Sequence, residues 1–292
     1  MASEVDVVVV AYGSADLLDA CLTALRGESP VIVVDNSSDP AVHAVTDGHR
    51  ARYVDAKRNL GFAAGVNLGL DHLPQPLNDV LLLNPDAAID HAGVVELQRF
   101  LHDHPDLAGV APAQIDPSEG SEARVGWPFP TPLGAWLEAL GLGRLRRQDE
   151  FMIGSVLLLR ASALTDVGRF DEQFFLYAEE TDWQRRARDR GWRMALCTDV
   201  VATHIGAGTG GDVSERETHF HASLERYLRK HHGASGWRIF RAGVMAGSLL
   251  RALVLPGERG RLAAARLHLY RTGPCRAESR LTESPMGAAH QS

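Results

Sequence analysis

Short runs of Val and Leu alternate with segments whose apolar residues recur at helical spacing, and this two-period pattern organises most of the chain before Ser214. Val5–Ala11, Val31–Val34 and Val80–Leu83 are continuous apolar runs, the form that strands take when a sheet is covered on both faces. Leu17, Leu18, Cys21, Leu22 and Leu25 fall on one helical face, which predicts a helix over Asp16–Arg26. A short strand near Arg52–Val54 leads to a helix over Phe62–His72, and Asp90 reads as the N-cap of a helix carrying Val94, Val95, Leu97 and Leu101. Further on, the pattern predicts a strand over Phe151–Arg160, a helix over Glu179–Arg190 and a strand over Arg193–Cys197. Such alternation predicts an α/β fold with a mainly parallel, mixed central sheet flanked by helices.

Two stretches depart from the pattern. Between Pro112 and Asp149 the chain is rich in Pro, Gly and charge, including Gly126-Trp-Pro-Phe-Pro and Arg144, Arg146 and Arg147, as expected of a functional loop or lid. Beyond Ser214 it reads as helical and basic, and after Gly273 as a disordered tail. The expected organisation is therefore a domain over 1–214, a basic amphipathic helical extension over 215–272 and a disordered tail over 273–292. Within the extension, Trp237–Leu255 interleaves Arg238, Arg241 and Arg251 with a dozen or so apolar positions. It is too interrupted to span a bilayer, and suits either the bilayer interface or packing against the domain.

Composition narrows the class. With 45% hydrophobic and 23% charged residues over 292 positions, the chain is an ordinary globular one, which excludes disordered, collagen-like and coiled-coil descriptions. The net charge of −7 is divided unevenly: residues 225–272 hold ten Lys/Arg against two Glu, so the chain before them carries the acidic excess. An acidic body argues against nucleic acid as a partner, and the basic extension points to an anionic surface such as a membrane face. The start of the chain is acidic, with an apolar run too short for a signal peptide, so a cytoplasmic location is expected, peripheral on the inner face of the plasma membrane. Cys21, Cys197 and Cys275 are far apart and lack a CxxC pair, so free thiols are expected.

Several acids stand where strands end. Asp35 closes Val31–Asp35 and is followed by Asn36-Ser37-Ser38, which places it either at a ribose or base edge or in an Asx turn. Asn59-Leu-Gly61-Phe62-Ala-Ala-Gly65-Val-Asn67 opens a helix with small residues that admit an anion to backbone amides, or simply pack the helix on the sheet. Asp86, delivered by Leu81-Leu-Leu-Asn84-Pro85, fits a Mg²⁺ or Mn²⁺ ligand, since such ions are held by one or two carboxylates and diphosphate oxygens; a plain turn residue is the alternative. Thr203-His204 ends an apolar strand beside a glycine-rich loop, where His204 is a candidate metal or phosphate ligand.

The most specific segment runs from Gly168 through Phe170-Asp171-Glu-Gln-Phe174-Phe175-Leu-Tyr177-Ala to Glu179-Glu180-Thr-Asp182-Trp183. In a helix, Glu179 and Asp182 share a face, Glu180 points elsewhere, and Asp182 reaches Arg186 at i+4. Acids in a first turn also suit the helix dipole.

These pieces, in this order, resemble the family 2 glycosyltransferases, and the run from Gly154-Ser155 to Trp183 is similar to their bacterial rhamnosyltransferase branch. The resemblance implies a GT-A type nucleotide-binding fold and a donor site that includes Ala11, Tyr12, Asp35, Asn59, Gly61, Phe62, Asn67, Asn84, Asp86 and Gly154. The family's Asp-x-Asp motif here reads Asn84-Pro85-Asp86, which carries the Mg²⁺ or Mn²⁺ role to Asp86, with His204 as a further ligand. Glu180 takes the place of the catalytic base, with Glu179 and Asp182 as alternatives. The implied donor is a dTDP- or UDP-sugar, the acceptor a glycan or a polyprenyl-diphosphate-linked glycolipid of the cell envelope, and the reaction a single inverting displacement.

Overall fold

The computed structural model describes residues 5–26, 28–74, 78–117, 120–145, 150–206 and 213–283. Arg146, Arg147, Gly208, Gly210 and Gly211 lie outside the described residues. The N-terminal half runs β1 (Val5–Ala11), α1 (Ala15–Leu25), β2 (Val31–Asp35), α2 (Pro40–Gly48), β3 (Arg52–Asp55), α3 (Phe62–Asp71) and β4 (Asp79–Leu83). There follow β5 (Ala87–Ala88), α4 (His91–Asp103), β6 (Leu107–Ile115), β7 (Glu122–Ala123), β8 (Gly126–Pro128) and α5 (Gly134–Ala139). The second half holds β9 (Glu150–Met152), β10 (Val156–Leu159), α6 (Ala161–Val167), α7 (Glu179–Asp189) and β11 (Arg193–His204). Three helices close the described chain: α8 (Val213–Val254), α9 (Gly257–Thr272) and α10 (Pro274–Glu283).

The central sheet has the order β3-β2-β1-β4-β10-β6-β11-β5, with β7 beside β6. The β1 to β4 half is parallel, β10 runs antiparallel between β4 and β6, and β11 is parallel to β6. The strands are apolar on both faces because both are covered. Val7, Val9, Leu81 and Leu83 meet Leu18, Leu22 and Leu25 of α1 and Leu97 of α4 on one side. Val8, Val10, Val34 and Leu82 meet Val66 of α3, Leu164 of α6 and Trp183 of α7 on the other. Asp90 caps α4 by accepting from the Gly93 amide at 2.8 Å, as its position implied.

Some expectations need correction. α2 is absent from the sequence reading because only Val42 and Thr46 face inward, although Asp39 before Pro40 is a cap signal. The single strand expected over Phe151–Arg160 is two, broken at Ile153-Gly154-Ser155: the Gln184 side chain bonds the Met152 amide and carbonyl and draws β9 toward α7. β11 continues past Cys197 through a register shift to His204, the polar Thr198-Asp199 having masked its length. The stretch from Pro112 onward contains the end of β6, β7, β8 and α5, and Trp136 of α5 donates to the Ile239 carbonyl of α8 at 2.9 Å.

Nor does disorder begin at Gly273. α10 starts with Pro274 at its first position and buries Glu278, which accepts from His219 at 2.8 Å and pairs with Arg226. The C-terminal helices share an apolar cluster with the body, in which Trp237, Phe240, Tyr227 and Tyr270 meet Phe129 and Phe174. α8 breaks at Gly233, whose φ of 67° lies in the left-handed region.

Candidate active site

The carboxyl ends of the strands carry the residues that the sequence singled out. Ala11 is paired with Asp35 across β1 and β2, and the Asn36 amide donates to the Ala11 carbonyl. Asp35 is fully buried. Its Oδ1 accepts from the Ser37 amide at 2.8 Å and hydroxyl at 2.5 Å, and its Oδ2 accepts from the Asp39 amide and the Tyr53 hydroxyl, each at 2.9 Å. This carboxylate thus shapes an Asx turn, and Ser37 Oγ in turn accepts from the Gly13 amide just after Tyr12.

Asn59 accepts from the Gly61 amide, and Asn36 donates to the Gly61 carbonyl. Gly61 has φ 79°, and a Cβ there would stand 2.2 Å from the Phe175 carbonyl oxygen, so glycine is required. The Phe62 amide donates to that same carbonyl at 2.8 Å. Asn67 has a task different from the expected sugar contact. Its amide group is committed to the Phe170 backbone on both sides and to Glu172, with its nitrogen 2.9 Å from the Phe170 carbonyl. The helix opening thus anchors the acid-and-aromatic segment rather than presenting a free amide.

That segment then turns through two consecutive left-handed residues, Tyr177 (φ 68°) and Ala178 (φ 63°), a conformation disfavoured for side chains with a Cβ. The turn sets Glu179, Glu180 and Asp182 in the first turn of α7. Glu180 lies against Gly154, where a Cβ would stand 3.6 Å from its own Cβ. Burial pushes the Glu180 carboxyl up to about 7, opposed by the backbone amides of Glu180, Thr181 and Gly154 that face it. Glu179 is raised well above the ordinary carboxyl range by burial and then by the charge of Glu180. One Oε2 in each has no hydrogen-bond partner among the described residues. Glu179 and Glu180 thus titrate as a pair, both raised by burial, which leaves Glu180 poised to take a proton near neutral pH.

Asp182 differs from both. It is fully buried, and accepts from Arg186 at 2.9 Å, as the i,i+4 spacing implied, and from Lys230 at 2.7 Å and His231 at 2.8 Å. Burial alone would raise its carboxyl, but these three donors outweigh it and hold it at about 2. Lys230 and His231 come from α8, and no local signal in the sequence pointed to them.

Asn84 bonds through its amide to the Ser155 carbonyl and accepts from the Ala87 amide, which forms the turn that presents Asp86. Asp86 is buried, its Oδ1 has no hydrogen-bond partner among the described residues, and His204 Nε2 is 3.4 Å from it. The short pairing of β5 with β11, His204 opposite Ala87, brings the two together. An orphaned buried carboxylate oxygen beside an imidazole nitrogen fits a pair of protein ligands that would hold a divalent cation and place its charge near a bound diphosphate. No third His, Cys, Asp or Glu joins them among the described residues. Cys21 lies behind Asp86 with its thiol pushed up to about 12, first by burial and then by Asp86, so it stays a neutral thiol.

The model of the Glycosyl transferase family 2 matches residues 6–168, more than half of the chain, and the chain belongs to that family. It is a glycosyltransferase with a GT-A type fold and a helical C-terminal region. The N-acetylglucosaminyl-diphospho-decaprenol L-rhamnosyltransferase of Mycobacterium tuberculosis is 27% identical over 81% of this chain and 87% of its own. The low-salt glycan biosynthesis hexosyltransferase Agl10 of Haloferax volcanii is 26% identical over 78% of this chain and 73% of its own. Among solved structures, glucosyl-3-phosphoglycerate synthase from Mycobacterium tuberculosis, in complex with Mn²⁺, uridine diphosphate and phosphoglyceric acid, aligns with a TM-score of 0.55 at 16% identity. That alignment covers 77% of this chain and 78% of the other.

Proposed function

We propose that this chain transfers a hexose, with L-rhamnose from dTDP-rhamnose as the first choice, from a nucleoside-diphosphate donor to a hydroxyl of a polyprenyl-diphosphate-linked glycan. The lipid-linked acceptor is supported by the relative named for N-acetylglucosaminyl-diphospho-decaprenol, and the sugar only by that likeness. A different hexose is the alternative, because a galactofuranosyltransferase, GlfT1 of Mycobacterium tuberculosis, is also similar, at 28% identity over 70% of this chain.

The observation that carries the reading is Glu180, a buried carboxyl at about 7 held at the N-terminus of α7 against Gly154. Such a group takes the proton of an acceptor hydroxyl as that oxygen bonds to the anomeric carbon. The bond from that carbon to the diphosphate oxygen breaks with its electron pair, the nucleoside diphosphate leaves, and the configuration inverts. Asp86 and His204 would hold Mg²⁺ or Mn²⁺, which when bound supplies charge to the departing diphosphate. Ala11, Tyr12, Asp35, Asn59, Gly61, Phe62, Asn84 and Gly154 would frame the nucleotide and sugar, several of them through backbone rather than side-chain groups. The deciding experiment is donor profiling with the anomeric configuration of the product read by NMR: a retained configuration would sink the single displacement.

A further inference from the structure

Glu180 forms one wall of a cavity of about 700 Å³ that lies between the body and the C-terminal helices. Asp86 and His204 do not line it. Its walls are mostly apolar and aromatic: Trp127 and Phe151 from the β8–β9 ribbon, and Phe220, Leu224, Phe240 and Val244 from α8. Three guanidinium groups also border it, those of Arg216, Arg251 and Arg266. Arg251 donates to the Glu138 carbonyl and Arg266 is paired with Glu217, whereas Arg216 has no hydrogen bond or ion pair among the described residues. Around Ser248 and Arg251, the end of α8 exposes Leu249, Leu250, Leu253 and Val254, of which Leu253 is 78% exposed.

A water-soluble sugar acceptor would have no use for such walls. An apolar cavity with one unpaired cation, one wall made by the candidate base and an exposed apolar helix end next to its lining residues Ser248 and Arg251 matches an amphiphile with an anionic head. We propose that this cavity is the acceptor site, taking the first isoprene units of a prenyl diphosphate along Phe220, Leu224, Phe240 and Val244, with the diphosphate at Arg216. The acceptor sugar then reaches Glu180, and the rest of the chain leaves past Leu250 and Leu253 toward a bilayer. The inference rests on the proposed transfer to a lipid-linked acceptor, and adds to it where the lipid binds and which cation receives its diphosphate. Two arginines already engaged with the protein make poor primary receptors, because a ligand would first displace their partners.

The test uses the full chain with farnesyl diphosphate as probe, in the presence of saturating UDP and Mn²⁺ so that the donor site is filled. Calorimetric titration should give saturable binding, with farnesol and pyrophosphate each at least about tenfold weaker, since each lacks half of the recognition. Arg216→Ala should weaken binding by about tenfold or more and Arg216→Lys by less. Phe220→Ala, a change at a half-exposed position, should weaken farnesyl diphosphate but not pyrophosphate. A benzophenone-bearing farnesyl diphosphate should crosslink to peptides within 127–151 and 213–251. Crosslinks confined to other peptides, or Arg216→Ala protein that melts normally and binds the probe as tightly as the parent, would overturn the assignment. Nucleoside diphosphate release from dTDP- and UDP-sugars by the parent protein is followed alongside. Its absence removes the proposed transferase reading, while the fate of the cavity is decided by the probe.

Discussion

His231 Nε2 of α8 lies 2.8 Å from Asp182 Oδ1 of α7, joining the C-terminal helices to the helix that carries Glu180. Lys230 and Arg186 complete the shell around the same buried carboxylate, so the orientation of α7 depends on residues about fifty positions downstream as well as on its own turn.

Stability should therefore follow the Asp182 carboxyl. Its folded value of about 2 lies below the ordinary 3.8, so its contribution is full above pH 4 and is lost as pH falls toward 2. The shift corresponds to about 2 kcal/mol. Thermal melts across pH 2 to 5 should show this loss in the parent and not in Asp182→Asn, whose melting temperature at pH 7 should already be lower. An Asp182→Asn protein with unchanged melting temperature would refute the clamp.

Glu180→Gln should lower kcat by about 10²–10⁴-fold while donor affinity, measured by calorimetry on folded protein, stays close to the parent. The base must be ionised, so kcat/KM of the parent should rise with pH through about 7. Burial and the neighbouring Glu180 charge disfavour ionisation of Glu179, and Glu179→Gln should leave that ascending limb in place. The sign for stability is opposite to that of Asp182: a carboxyl raised from 4.5 to about 7 favours the protonated folded state, and its contribution declines as pH climbs through that interval. Abolition of turnover by Glu179→Gln with Glu180→Gln still active would reverse the two roles.

For the metal pair, Asp86→Ala and His204→Ala should each weaken Mn²⁺-dependent binding of the nucleoside diphosphate, with Asp86→Ala the more severe because it removes a charge. Electron paramagnetic resonance of free Mn²⁺ reports this without reference to turnover. EDTA should abolish transfer, and full activity in its presence would remove the cation from the reaction.

Membrane contact is expected at the end of α8, where Leu249, Leu250, Leu253 and Val254 are exposed beside Arg251. Among the described residues no helix is long and apolar enough to cross a membrane. Flotation with liposomes containing anionic lipid should occur at low salt, weaken as salt rises, and fall sharply in Leu250→Glu/Leu253→Glu protein. A parent protein that never floats would sink this expectation.

Local chemistry determined a good part of this molecule. The Val/Leu runs that became β1, β2 and β4, the cap at Asp90 and the Asp182–Arg186 pair all rest on spacings of four residues or fewer, and such spacings are written directly in the sequence. The acids at strand ends were legible for the same reason, since a strand that stops in a turn must deliver its last polar residue to the sheet edge. What tertiary structure decided is what depends on contacts far apart in sequence. Asn67 holds Phe170 rather than facing a ligand, Gln184 splits the expected strand at Gly154, and Glu278 orders α10 where composition suggested a loose tail. Lys230 and His231 make Asp182 a clamp, and the walls of the cavity beside Glu180 come from five separate stretches of chain. No period or motif encodes such meetings, because they are fixed by how the helices pack on the sheet and by which buried polar groups then need a partner.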